Sequence, residues 1–445
     1  MVRVVACGDA LFSSRNLARR LDRRLVDEFA RADAVFANAE FCCPRHDTPP
    51  APRRFTTAVK AEALDELADL NIRLVSFANN HTGDFGPQGI IDTIEAAEAR
   101  GLIHCGIGRS LEEARSARFL DTPKGRIGLV AASSTRAADF AASAPGKGIA
   151  ARPGLNPLRW GRAYVLPEQE FQQLRRIDEM LGTAASRREV AAVEVMRDPG
   201  PDRFNFGSVF EGSLQIERGD RAHVRYFVDE RDCKAILDNV RDAANRSDCV
   251  LVSLHTHEGL ADNWYSPRAP SFIEEFARRA IDAGADAILG HGAHMLRGIE
   301  IYEGRPIFYN LGSLMIEFEA GEQRMTPEMY EGFGLAKDAL PSHLHMFRVQ
   351  DEGGKRIGFY GDPKFSKGCI AICDFEPDGV QVRLVPLDLD LNRARPAERG
   401  LPALPSPELG REIAKDMARM SEVYGTRMQY NDADGTISVE GNGSA

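Results

Sequence analysis

Short apolar runs rich in β-branched residues recur along the chain, at Val2 to Cys7, Ala34 to Ala37, Arg73 to Phe77, Ile127 to Ala131, Cys249 to Leu254, Ala287 to Leu289 and Pro306 to Tyr309. Runs of this length and composition predict buried strands. Between them, Lys60 to Leu70, Gly89 to Arg100, Arg231 to Asn245 and Ser271 to Ala283 place apolar residues at helical spacing. Strand alternating with helix predicts an α/β fold, a largely parallel or mixed sheet covered by helices.

The rhythm breaks from about 154 to 228, where a Pro- and Arg-containing linker precedes a helix near Pro167 to Leu181 and a hairpin around Gly219-Asp220. This stretch reads as an insertion beside the main sheet. A second irregular stretch runs from about 321 to 366, and within it His343 and His345 alternate as on a strand, both on one face. Two last strands, Cys369 to Phe375 and Val380 to Pro386, lead to a helix from Pro407 to Tyr424 and a Gly- and Asn-rich tail expected to fray. The expected organisation is one catalytic domain over 1–400 with an insertion at 154–228, then a C-terminal helix and frayed tail over 401–445.

Composition narrows the function classes. Hydrophobic residues make up 43% and charged residues 27% of the 445, the mix of a soluble globular protein. A net charge of -10 without a long basic run argues against a nucleic-acid partner. No run of about 18 apolar residues could span a membrane. Val4-Val5-Ala6-Cys7 looks like a lipoprotein box but lacks the preceding charged and apolar regions of a signal peptide. The expectation is therefore a cytoplasmic protein with no membrane partner. Eight cysteines without a close-spaced framework read as reduced, buried thiols.

Chemistry concentrates just after the strands. Gly8-Asp9 follows the first, Asn38-Ala39-Glu40 the second, and Asn79-Asn80-His81 the third; His255-Thr256-His257-Glu258 and Gly290-His291-Gly292-Ala293-His294 follow two later ones. In open α/β sheets ligands bind beyond the carboxyl ends of strands, so these segments would meet on one rim. Carboxylate, amide and imidazole donors without a thiolate suit Mn, Zn, Fe or Mg. Two such ions would acidify a bound water and polarise a carbonyl or phosphoryl oxygen. Asp84, three residues after His81, is placed to orient that imidazole for acid–base work.

Each motif alone has a plainer reading. Asp9 and Glu40 could be turn residues, as could Asn79-Asn80. Asp84 could cap the helix after Gly86, and His255 or His291 could be an interior histidine. Five motifs at five strand ends outweigh these readings. Other candidates fare less well: Arg53-Arg54 could hold an anionic substrate but fits a solvated loop, Cys42-Cys43 fits packing, and His46 and His104 show no partner.

Through these residues the chain resembles the CapA-type poly-γ-glutamate capsule biosynthesis proteins, a branch of the calcineurin-like metallophosphoesterase superfamily. The resemblance runs through Val4 to Asp9, Ala37-Asn-Ala-Glu40, Ser76-Phe-Ala-Asn-Asn-His81 with Asp84 and Gly86, Cys105-Gly-Ile-Gly108, Val252-Ser-Leu-His255, Ile288-Leu-Gly-His-Gly-Ala-His294, Gly298-Ile-Glu-Ile-Tyr302 and Pro306-Ile-Phe-Tyr-Asn-Leu-Gly312. It implies a four-layer α/β/β/α metallophosphatase-like sandwich holding two divalent metal ions. By position Glu40 would bridge them, Asp9 and His294 would hold one, and Asn80, His255 and His291 the other, with His81 as acid–base residue oriented by Asp84.

Three positions depart from the pattern. Leu11 stands where the superfamily places a histidine, Thr256-His257-Glu258 replaces the usual Trp-Gly and acidic residue, and Ser313 replaces an Asn. The expected activity is metal-dependent hydrolysis of an amide, peptide or γ-glutamyl-type bond in a small-molecule or peptide substrate, by metal-bound hydroxide with His81 protonating the leaving nitrogen. Phosphoester hydrolysis is an alternative. So is a peptide epimerase using His81 and His257 as its acid–base pair. A non-catalytic scaffold is a third, disfavoured by six candidate ligands. The sequence sets no oligomeric state.

Overall fold

The apolar run at the start of the chain becomes the strand Val2–Leu11, buried over nearly its whole length, inside a nine-stranded sheet. The computed structural model describes residues 1–53, 55–194, 199–208, 210, 212–317, 325–376 and 379–441. Val2–Leu11 pairs in parallel with Ala34–Ala39, which pairs in parallel with Ile72–Ser76. Its other edge takes Lys367–Glu376 antiparallel, followed by Gly379–Asp388. A second sheet of six strands has Gly125–Ser133, Cys249–Thr256, Ala287–Gly292 and Arg305–Phe308 running parallel.

Side-chain alternation along these strands sets the layers. Val4, Ala6, Phe36 and Leu74 from the first sheet share one buried cluster with Leu129, Leu251 and Leu289 from the second, so the sheets pack face to face. The opposite residues of the first sheet, Val5, Cys7, Val35 and Val75, meet Leu25, Phe29, Leu64, Leu67, Ile90 and Ile94 from helices. On the far side, Val130, Val250, Val252 and Ile288 meet Ile236, Val240, Phe272, Phe276 and Ala280 from Glu230–Ala244 and Ser271–Asp282. Helix, sheet, sheet and helix make the expected four-layer α/β/β/α sandwich. All eight cysteines are buried and free. Among the described residues no helix is long and apolar enough to cross a membrane.

Three local expectations change. The tail does not fray over its described length: Arg427–Asn431 and Thr436–Glu440 pair as a hairpin that extends the first sheet beside Gly379–Asp388. Its anchor is Ile437, fully buried in the cluster that holds Leu384 and Met417. The turn at Gly219-Asp220 does not close a hairpin either, because Trp160–Leu166 lies between Leu214–Arg218 and His223–Val228 and pairs with both. This small sheet packs helix Glu168–Met180 through Phe171, Phe204 and Ile216. His343 and His345 sit on a helix, Pro341–Val349, whose first turn Pro341 favours. At roughly 100° per residue they point to different sides, His345 inward and His343 to solvent.

Asp229 caps Glu230–Ala244 by accepting the Arg231 and Asp232 backbone N–H groups at 2.9 and 3.4 Å. Its hydrogen bond with Arg231, together with these amides, lowers its pKa to about 2. Asp229→Ala should therefore cost about 1 kcal/mol at pH 7. A carboxyl whose folded pKa lies below its unfolded value stabilises above the unfolded pKa and loses that contribution as pH falls through the folded one. Urea unfolding should show the two proteins converging near pH 2; an equal gap at pH 7 and pH 2 would contradict the cap.

Candidate metal centre

Strand register brings the polar segments together. Asp9 lies opposite Asn38 on one neighbouring strand and opposite Ser313 on the other. In the second sheet His255 lies opposite His291. The two parallel sheet edges then face each other at their carboxyl ends, where Glu40, Asn80, His81, His257 and His294 follow in loops or final turns. Two glycines permit the approach. A Cβ on Gly8 would lie 1.8 Å from the Gly312 carbonyl oxygen. Gly292 takes φ 120°, a conformation L side chains rarely adopt, and its N–H donates to Asp9 Oδ2 at 2.8 Å.

Glu40 is the hub. It is fully buried, and neither carboxylate oxygen has a hydrogen-bond partner among the described residues. Around its Oε1 stand the Nε2 atoms of His294 at 3.5 Å, His257 at 3.8 Å, and His81 and His255 at 4.0 Å. These gaps are too long for hydrogen bonds. They suit two donors sharing one ion: at about 2.1 Å each and a tetrahedral angle, ligand atoms stand roughly 3.4 Å apart.

Asp9 shows the same spacing, its carboxylate oxygens lying 3.4 Å from His294 Nδ1 and 3.5 Å from His291 Nδ1. His255 Nδ1 is 3.1 Å from His291 Nδ1, and its Nε2 is 2.9 Å from Asn80 Oδ1. Three groups have ligand atoms close enough to hold a cation: Asp9 with His255 and His291, Glu40 with His255 and His257, and Asp9 with Glu40 and His294. His294 is held at φ 55°, a strained conformation for a non-glycine residue of the kind found at functional sites.

Electrostatics agree with a cation site. Burial, reinforced by the Asp9 and Asp84 charges, pushes the Glu40 carboxyl well above its ordinary range. Burial would also raise Asp9, but the His291 and His294 imidazoles beside it hold it well below the usual carboxylate range. Burial lowers His255 and His257, which keeps these imidazoles neutral with lone pairs available to a metal. The donors fit a divalent ion of the Mn, Zn or Fe type.

His81 is built differently from the ligands. Its Nδ1 lies 2.6 Å from Asp84 Oδ2, which also accepts the Thr57 N–H at 2.6 Å, while Arg53 holds the other Asp84 oxygen at 2.5 Å. The His81 backbone N–H donates to Asn79 Oδ1 at 3.0 Å. With the proton fixed on Nδ1, Nε2 faces Glu40 and an adjoining cavity of about 580 Å³. Arg53, Arg136 and Arg348 line that cavity together with Phe55, Trp264, Tyr265, Phe333 and Phe359.

Other sequence candidates lie elsewhere. Arg54 is outside the described residues. His46 is exposed, His104 is buried 3.7 Å from Glu98, and Cys42 and Cys43 pack in apolar surroundings. His343 and His345 belong to none of the candidate cation groups among the described residues. The supporting contacts of several residues escaped the sequence reading. Asn38 donates to Asp9 Oδ1 at 2.8 Å, Ser253 pairs with His291 Nε2 at 2.8 Å, and Arg297 sits fully buried behind the His257 loop. Ser253 carried a signal, since it lies two residues before His255 on the same strand face. Arg297 carried none.

Residues 3–317 match the family model described as "Bacterial capsule synthesis protein PGA_cap". An uncharacterized protein of Sinorhizobium fredii is 30% identical, over 98% of this chain and 93% of that protein. The "Probable polyglutamine synthesis accessory protein" of Mycobacterium tuberculosis is 26% identical over 70% of this chain and 60% of its own. "Capsule biosynthesis protein CapA" of Bacillus anthracis is 21% identical over 60% of this chain, which spans about half that relative, 46%. The matched span contains every donor described above.

Proposed function

This chain belongs to the bacterial capsule synthesis protein PGA_cap family, and from that premise we propose that it is a divalent-metal-dependent hydrolase acting on an amide, peptide or γ-glutamyl-type bond. The observation that carries the reading is Glu40, a buried carboxylate with both oxygens unpartnered among the described residues and four imidazoles turned toward it. Asp9, Glu40, Asn80, His255, His291 and His294 would hold two ions. When bound, such ions supply a water of lowered pKa and polarise a carbonyl oxygen.

The protein's own groups do the rest. Asp84 keeps the His81 ring oriented, so that Nε2 delivers a proton to the leaving nitrogen. Arg53 holds Asp84 in place and also donates to the Asn80 carbonyl at 2.8 Å, tying the acid–base residue to a ligand-bearing loop. Arginine and aromatic side chains around the cavity suit a substrate carrying carboxylates beside apolar groups. The polyglutamine and capsule names of the relatives make γ-glutamyl peptides the first compounds to try.

The test is incubation of Mn- or Zn-loaded protein with γ-glutamyl peptides in oxygen-18 water, with a phosphoester as comparison. Release of product carrying one solvent oxygen in its new carboxylate is the expected result. Cleavage of the phosphoester alone, or solvent deuterium entering an α-carbon in deuterated water without gain of water, would overturn it.

A further inference from the structure

One histidine in the centre is held as a ligand is held, yet lies outside the six donors named above. His257 is 6% exposed, and its Nε2 has no hydrogen-bond partner among the described residues. That nitrogen points at Glu40 Oε1 across 3.8 Å, and the two atoms with one from His255 form a group able to hold a cation. The rest of the residue is fixed from several directions. Its N–H donates to Thr135 Oγ1 at 2.8 Å, and its carbonyl accepts from the Arg297 guanidinium at 3.1 Å.

Arg297 reaches the Ser266 and Trp264 carbonyls from the same buried position, at 3.2 and 3.1 Å, and so fastens both ends of the loop. Glu258, the next residue, takes hydroxyl hydrogen bonds from Ser134, Thr135 and Thr256 at 2.6, 3.0 and 2.9 Å. Trp264 packs on the ring, 4.9 Å between centroids. From the far side the small inserted sheet braces the loop, with Tyr226 and Tyr164 hydroxyls 3.2 and 2.8 Å from the Asp262 carboxylate. The ring lines the same cavity as His81, but its Nε2 is buried without a hydrogen-bond partner among the described residues and faces the Glu40 carboxylate, whereas His81 Nε2 has the Thr57 hydroxyl at 3.4 Å.

We propose that His257 is a metal ligand through Nε2, completing with His255 the shell of an ion held by Glu40. The assignment rests on the divalent-metal reading of the centre. It removes His257 from acid–base work, so an epimerase built on a His81 and His257 pair loses its second base. Arg297 becomes a positioning residue for that ligand.

Cobalt(II) titration of the chelator-stripped full chain tests this, read by visible absorption and by calorimetry. Wild type should take up two ions. His257→Ala should weaken one of them by about 100-fold or more, beyond the 10–100-fold typical of outer-shell partners, and change the cobalt spectrum. His81→Ala should bind both ions with the wild-type spectrum. His257→Gln, with far-UV circular dichroism matching wild type, carries the test if the alanine variant does not fold. Wild-type affinity for both ions and an unchanged spectrum in the His257 variants would overturn the assignment while leaving the metal centre standing. A wild-type chain that takes up no cobalt would overturn the metal reading, and this assignment with it.

Discussion

His81→Ala should abolish turnover and leave the metal content unchanged. The imidazole is tied through Nδ1 to Asp84 at 2.6 Å, and its Nε2 stands 4.0 Å from Glu40 Oε1, at the wall of the adjoining cavity. Removing a positioned acid–base group costs about 10²–10⁴-fold in kcat. The remaining donors, Asp9, Glu40, Asn80, His255, His291 and His294, reach one another without His81. Elemental analysis beside kinetics separates the roles. A variant with full activity, or one that loses its ions along with its activity, would show that His81 is not the proton donor.

Glu40→Gln should have the opposite signature, with loss of both ions and loss of all activity, because the charge at the hub of the cluster is gone while its shape is kept. The same variant should stabilise the metal-free protein. Burial raises the Glu40 carboxyl well above its ordinary range, so in the metal-free chain its stabilising contribution is complete below the unfolded pKa and lost as pH rises through the folded value. At neutral pH a buried carboxyl without a hydrogen-bond partner costs roughly 1–3 kcal/mol, which glutamine reduces. Thermal melts in chelator at pH 5 and pH 8 should show the gap between variant and wild type widening with pH. A metal-free variant less stable than wild type at both values would contradict this account of Glu40.

Much of the architecture was legible because strand runs such as Val2 to Cys7 and Cys249 to Leu254 are too apolar to be anything but buried, and because helices such as Ser271–Asp282 carry one apolar stripe. What local pattern could not supply was the pairing of distant segments. Leu214–Arg218 and His223–Val228 look like a hairpin from the turn between them, yet both pair with Trp160–Leu166. His343 and His345 fit a strand period, but Pro341 starts a helix there and Leu344 and Val349 bury its inner face. In the tail, Ile437 and Val439 alternate as strand residues should, and the glycines and asparagines around them masked that signal.

The site divides in the same way. Its donors were visible because polar residues directly after buried strands are conspicuous, and the register of His255 against His291 turns that pattern into geometry. His257 was also visible, as an extra histidine in Thr256-His257-Glu258, but not the direction its ring faces. That direction depends on Arg297 and Thr135, which are 40 and 122 residues away. No window of sequence contains them together.

The proposed chemistry requires that Glu40 and the surrounding imidazoles hold metal. Anomalous diffraction from crystals grown with zinc, collected on both sides of the zinc absorption edge, tests it most directly. Two zinc peaks are expected, at least one within coordination distance of both Glu40 and a histidine among His255, His257 and His294. Fully ordered Glu40 with no zinc peak beside it, in crystals that show zinc bound elsewhere, would contradict it.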